Sequence, residues 1–256
     1  MATYKKRGYK PKTKAEQEEV IQDDSTTAEV FSTLDEGANR TEEWVAKNQK
    51  GILITIGAIV LIVMGYLGYQ KFIQEPRELE ASNELTLARD YFSEALNATA
   101  DQDSLYALAL NGAEGKYGFI DIIENYGGTK AAELAHYYAG MSYLNSNQYQ
   151  EAIEYLEDFE SDDVMLEPLA LGAMGDAFVQ LNQPEDALEY YERAAKANSN
   201  EFTTPKFLLK AGITAIGLGK NDAAISYLQQ IKKEYPNAPQ VQQATLFLGR
   251  AGADID

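Results

Sequence analysis

Few residues in this 256-residue chain have the types and spacing to do covalent chemistry. There is no cysteine, which excludes a thiol nucleophile, a thiolate metal site and a disulfide scaffold together. His136 is the single histidine, so a His-based metal site would lack ligands, and a Ser/His/Asp triad would have to use a residue that falls at a helix-packing position. The densest carboxylate set is Glu157, Asp158, Glu160, Asp162, Asp163 and Glu167. It lacks the glycine and the alternating ligands of an EF-hand loop and reads as a solvated loop. Asn97-Ala98-Thr99 would be a glycosylation site only in a eukaryotic lumen, and no P-loop, GxGxxG or HExxH pattern occurs. The expectation is a chain with no catalytic residues, no metal and no cofactor: not an enzyme.

Charge narrows the partners. Residues 1–50 hold nine Lys/Arg and ten Asp/Glu, whereas residues 71–256 hold thirteen and thirty. A C-terminal part this acidic is repelled by nucleic-acid phosphates and by anionic lipid, so no nucleic-acid partner is expected.

The element that must position everything else is residues 51–70, GILITIGAIVLIVMGYLGYQ, in which nothing is charged. Twenty helical residues span roughly 30 Å, the thickness of a bilayer's hydrocarbon core. A soluble amphipathic helix would show a polar face, and a cleavable leader would lie nearer the N-terminus and end at small residues. The segment therefore reads as one transmembrane helix bounded by Gly51 and Gln70, with Trp44 at headgroup level on one side. Its glycines do not fall into a GxxxG spacing, so pairing through the membrane is not signalled. Lys and Arg are balanced close to it: Arg40, Lys47 and Lys50 before, Lys71, Arg77 and Arg89 after. The distal cluster Lys5, Lys6, Arg7, Lys10, Lys12 and Lys14 decides the orientation, with the N-terminus in the cytosol and the acidic part outside.

The chain then divides into a disordered cytosolic tail over 1–40, a juxtamembrane helix over 41–50 and the span over 51–71. A break follows at Glu75-Pro76, and a helix of about twenty residues carries Leu85, Ala88, Phe92, Ala95 and Leu96 on one face. From there a ruler recurs. Ala152/Leu156/Phe159, Ala187/Tyr191/Ala194 and Ala224/Leu228/Ile231 share one spacing, each preceded twelve residues upstream by a glycine, Gly140, Gly175 or Gly212. The glycines are 35 and 37 residues apart. Short turns, Asn145-Ser146-Asn147, Asn182-Gln183-Pro184 and Gly219-Lys220-Asn221, split each unit into two helices that bury their faces by stacking.

These residues resemble the tetratricopeptide repeat family, with units over 129–163, 164–200 and 201–237. Irregular helical repeats occupy 76–128, in which Phe119 to Thr129 align with Leu228 to Pro236. A capping helix over 238–256 carries Gly249, placed by the same ruler. The fold class is all-α: one membrane helix, then an α-solenoid of antiparallel helix pairs. The resemblance implies a groove lined by the first helix of each unit: Leu134, Tyr137, Met141 and Leu144; Leu169, Gly172, Asp176 and Val179; Lys206, Leu209, Ile213 and Ile216. That lining suits an extended hydrophobic segment, a partner helix or a second copy of the chain as a homodimer, unless the helix over 76–97 or the C-terminal cap fills it. The Lys and Asn clamp by which some of these repeats grip a C-terminal carboxylate is absent.

The order of tail, anchor and acidic repeats, with residues 126–141 (YGGTKAAELAHYYAGM), is similar to the YfgM-like ancillary subunits of the bacterial Sec translocon, in the form met in Bacteroidetes. This implies a single-pass inner-membrane protein with a periplasmic repeat domain that meets translocon subunits, periplasmic chaperones or unfolded exported polypeptides. A scaffold for another envelope complex, in secretion, motility or outer-membrane assembly, is the alternative.

Overall fold

The computed structural model describes residues 14–113 and 115–253, with side chains from Thr41 onward. Regular structure among them is helical, apart from one isolated bridge between Ala113 and Lys116. The chain falls into two units that meet between Tyr69 and Gln70.

The described part of the first unit is a single helix, α1, over Lys14–Tyr69. Its start corrects the expectation of a disordered tail to residue 40, although residues 1–13, with the basic cluster from Lys5 to Lys12, lie outside the described residues. No proline interrupts 14–69, and a helix once nucleated gains a hydrogen bond with each residue added. Two polar side chains in and just before the apolar stretch bond to the helix's own carbonyls. Thr55 donates to the Gly51 carbonyl at 2.9 Å and Asn48 to the Trp44 carbonyl at 2.8 Å. The helix over Thr41–Asn97 contains a stretch long and apolar enough to cross a membrane, and none of that stretch is buried within the chain.

In the second unit a π-helical turn over Gln70–Gln74 leads into α2, Glu75–Asn97, so the expected break at Pro76 is a change of helical winding instead of a loop. Pro76 sits in the first turn of α2, and its missing N–H falls where the helical winding changes. Leu85, Ala88, Phe92 and Ala95 are buried as the spacing predicts, whereas Leu96 is 54% exposed: it lies one residue past the buried face. Helices α3 (Gln102–Asn111) and α4 (Phe119–Tyr126) complete the irregular region. Phe119, Ile122 and Tyr126 are buried like Leu228, Ile231 and Tyr235, the residues they align with.

Three helix pairs follow: α5 (Lys130–Asn145) with α6 (Tyr149–Glu157), α7 (Leu166–Gln180) with α8 (Pro184–Lys196), and α9 (Thr203–Gly217) with α10 (Asn221–Glu234). The hairpin turns are one motif used three times. The amides of Gln148, Gln183 and Lys220 bond back to the carbonyls of Tyr143, Phe178 and Ala215, each across a residue in the left-handed region, Asn147, Asn182 or Gly219. Helix α11, Val241–Arg250, ends in the same way, with the Ala253 amide on the Leu248 carbonyl. That turn puts Leu248 where Tyr143 stands, one helical turn out of register with the Gly249 alignment, and Gly249 is exposed.

The end of α2 nearest the π turn is held to the repeats by polar contacts. Gln74 donates to the Gly128 carbonyl and Arg77 to that of Asn125, while the Glu78 carboxylate accepts the Lys130 and Ala131 amides at 2.8 and 3.1 Å. The Thr129 hydroxyl accepts from the Ala132 amide, so three orphan N–H groups at the start of α5 find partners. Glu78→Ala is expected to cost about 1–2 kcal/mol, as a lost N-cap does. The thermal midpoint reads it, with exposed Glu94→Ala as the unchanged control.

Candidate protein-interaction surface

The repeat ruler has a steric meaning. A Cβ placed on Gly140 would lie 2.5 Å from Leu156 Cγ, one on Gly175 2.6 Å from Tyr191 Cε1, and one on Gly212 2.8 Å from Leu228 Cδ2. Each glycine thus opens space in the first helix for the large residue of the second helix in its own pair. Ala152, Ala187 and Ala224 are fully buried at the same contact. Rings stack across two of the pairs, Tyr143 on Tyr155 at 5.2 Å and Phe178 on Tyr190 at 5.1 Å, while the third pair has Ala215 opposite Tyr227.

Two contacts between neighbouring pairs escaped the sequence reading. The Tyr190 hydroxyl donates to Glu157 at 2.9 Å, and Tyr227 repeats the bond one unit later on Glu192. Burial, then the Glu192 carboxylate, pushes the Tyr227 phenol up to about 12. The signal was present: Tyr155, Tyr190 and Tyr227 keep the glycine spacing of 35 and 37, and Glu157 and Glu192 are 35 apart. The second contact joins α7 to α9. The Asp176 carboxylate accepts from Lys210 at 2.7 Å and from the Tyr191 hydroxyl at 2.6 Å. Partial burial of its ammonium, and after it the charge of Lys210, lowers the pKa of Lys206.

The expected groove is only partly open. Tyr137 and Leu209 are buried, which corrects their assignment to an accessible lining. Gly172 is occupied as well: a Cβ there would lie 1.9 Å from Phe207 Cε1, because the ring from α9 packs onto the α7 backbone. Leu134, Met141, Leu144, Leu169 and Ile216 are half-buried, with α2 packed on α5 and α11 packed on α9. Val179 and Ile213 stay exposed, at 43% and 39%.

The residues singled out for chemistry separate from one another. The His136 ring lies 6.1 Å from that of Tyr155, and its buried Nδ1 has no hydrogen-bond partner, so no carboxylate orients it as a triad requires. Of the acid cluster, Glu157 bonds Tyr190, Glu167 accepts from Asn198, and Asp163 caps α7 through the Met165 and Leu166 amides at 2.8 and 3.0 Å. Among the described residues no group of His, Asp and Glu is disposed to hold a metal ion. The Leu166 and Met165 amides hold the Asp163 carboxyl below its ordinary value of 3.8. A depressed folded value means that ionised Asp163 stabilises the fold above its unfolded pKa and loses that contribution as pH falls through the folded one. Asp163→Asn is expected to flatten the drop in thermal midpoint below about pH 4, measured by circular dichroism.

A model of the tetratricopeptide repeat family matches residues 137–201 and again residues 172–239. Residues 137–239 carry the tetratricopeptide repeat pattern. The two matches begin at 137 and 172, 35 residues apart, which is the distance from Gly140 to Gly175. The first takes in α5 to α8 nearly whole and the second α7 to α10, so the tetratricopeptide model and the steric ruler mark the same repeats. No curated protein matches the chain. Tetratricopeptide repeats form protein-interaction modules, and Val179 and Ile213 are exposed apolar residues on first helices of the matched repeats.

Proposed function

We propose that the chain is a membrane-anchored, non-enzymatic protein-interaction module. It acts as an accessory or chaperone-like subunit at a Sec protein-export translocon, with its N-terminus cytosolic and its repeats on the periplasmic side of a bacterial inner membrane. Partners are translocon subunits, periplasmic chaperones or emerging polypeptide segments. The observation that carries this reading is the joining, in one chain, of tetratricopeptide repeats to an uncharged helical stretch whose large side chains are solvent-exposed. Leu61 and Ile62 are each 71% exposed, and Met64 is 65% exposed. In water such a surface has no partner, and in a bilayer it needs none. Trp44 and Tyr66 lie roughly 33 Å apart along this helix, close to the spacing of the two interfaces. Acidic repeats suit a compartment boundary where anionic lipid repels them from the surface.

The test is photocrosslinking from Val179 and Ile213 in intact cells, followed by identification of the adducts. Translocon or chaperone components are the expected products. Adducts drawn from secretion, motility or outer-membrane assembly machinery would assign the scaffold role in their place, and absence of protein adducts would contradict an interaction surface at these positions.

A further inference from the structure

The connection from α6 to α7, residues 158–165, is eight residues long, whereas the corresponding connections after α8 and α10 have six. Beneath it lies the largest of the cavities described here, about 980 Å³, bounded by the first turn of α5, this loop and the start of α7. Its apolar floor is Leu134, Phe159 and Leu166. Its rim carries Glu133, Glu160 and Asp162, with Lys130 as the one cation against these and the carboxylates Asp163 and Glu167. A smaller cavity of about 380 Å³ shares Phe159 and Glu167 with it. Apolar surface continues along the same loop edge. Val164 is 57% exposed and Phe202 74%, and the two loops are tied by the Asn200 side chain donating to the Val164 carbonyl.

We propose that this cleft binds a polypeptide segment in which lysine or arginine alternates with large apolar residues. The volume is at the upper end for a small-molecule site and leaves room for several side chains of a peptide. The charge of the rim selects cations and repels phosphates and acidic chains, while the floor supplies apolar contact that a bare metal ion would not use. Three of the carboxylates already have structural duties, Glu133 toward the Glu160 amide, Asp163 as a helix cap and Glu167 toward Asn198, which leaves Glu160 and Asp162, both exposed, as the charges that a guest meets. This names the partner chemistry within the protein-binding reading above and rests on it.

The full-length chain in neutral maltoside micelles is titrated against a fluorescein-labelled peptide of alternating lysine and leucine, with anisotropy as the readout and empty micelles as the blank. Peptides with glutamate in place of lysine, or serine in place of leucine, are expected to bind at least about tenfold more weakly. The pair Glu160→Lys and Asp162→Lys is expected to weaken the lysine–leucine peptide by at least about tenfold, and the milder pair Glu160→Gln and Asp162→Asn by less. Glu185→Lys with Glu189→Lys, an equal change of net charge on α8, is expected to leave affinity unchanged. Equal weakening by the α8 pair, or no preference among the three peptides, would overturn the proposal. If adducts from Ile213 persist while both cleft pairs bind like the parent, the cleft assignment alone fails. If the adducts vanish while the cleft pattern holds, the fault lies with the surface at Ile213.

Discussion

Alanine at Gly172 is expected to destabilise the repeats, although alanine is the better helix former by about 1 kcal/mol. The added Cβ would meet Phe207 at 1.9 Å from Cε1 and 2.2 Å from Cζ, and that ring is only 1% exposed, with no solvent-facing space to swing into. Overpacking of this kind costs about 1–3 kcal/mol, so the steric term wins. Phe207→Ala empties the same space from the other side and is expected to cost about 3–5 kcal/mol. The double variant is the sharper test. With the ring gone the clash disappears, and Gly172→Ala in a Phe207→Ala background should stabilise by about the helix propensity of one alanine, about 1 kcal/mol. Thermal unfolding of the full chain in micelles reads all three. Additive losses would show that Phe207 does not seat on Gly172.

Arginines at Ile59 and Ile62 are expected to remove the chain from the membrane fraction. Each places a charge near the middle of the apolar stretch, at about 2.5–3.5 kcal/mol apiece on insertion scales, and adjacent turns cannot both reach an interface. The parent should resist carbonate extraction and the double variant should not. Retention of the double variant in the pellet would mean that the stretch holds the protein by contact with another protein instead of lipid.

How much was legible beforehand depended on the kind of signal. The glycines and alanines at 35- and 37-residue spacing exposed the helix pairs because a position that tolerates only a small side chain recurs with each unit. The groove was less legible. Position within a unit says which face a residue occupies, but whether a neighbour covers that face is decided by one large side chain elsewhere, as Phe207 covers Gly172. Tyr137 and Leu209 were misplaced for the same reason, being groove positions by register that are buried by packing. The Glu78 cap on α5 was invisible because it joins residues 52 and 53 apart, outside any repeat period. Gly249 was misaligned because a lone terminal helix has no partner glycine contact to hold the register, and its turn placed it one helical turn away.

A repeat domain that works from a helix seated in a bilayer places the chain's single tryptophan at the membrane interface. Trp44 is 61% exposed, beside the apolar stretch. In vesicles of lipids brominated at different depths, its emission should be blue-shifted from that of tryptophan in water. Quenching should be strongest for bromines just below the headgroups and weaker for bromines at the bilayer centre. Emission at the wavelength of tryptophan in water, with no quenching by bromine at any depth, would contradict a helix seated in the bilayer.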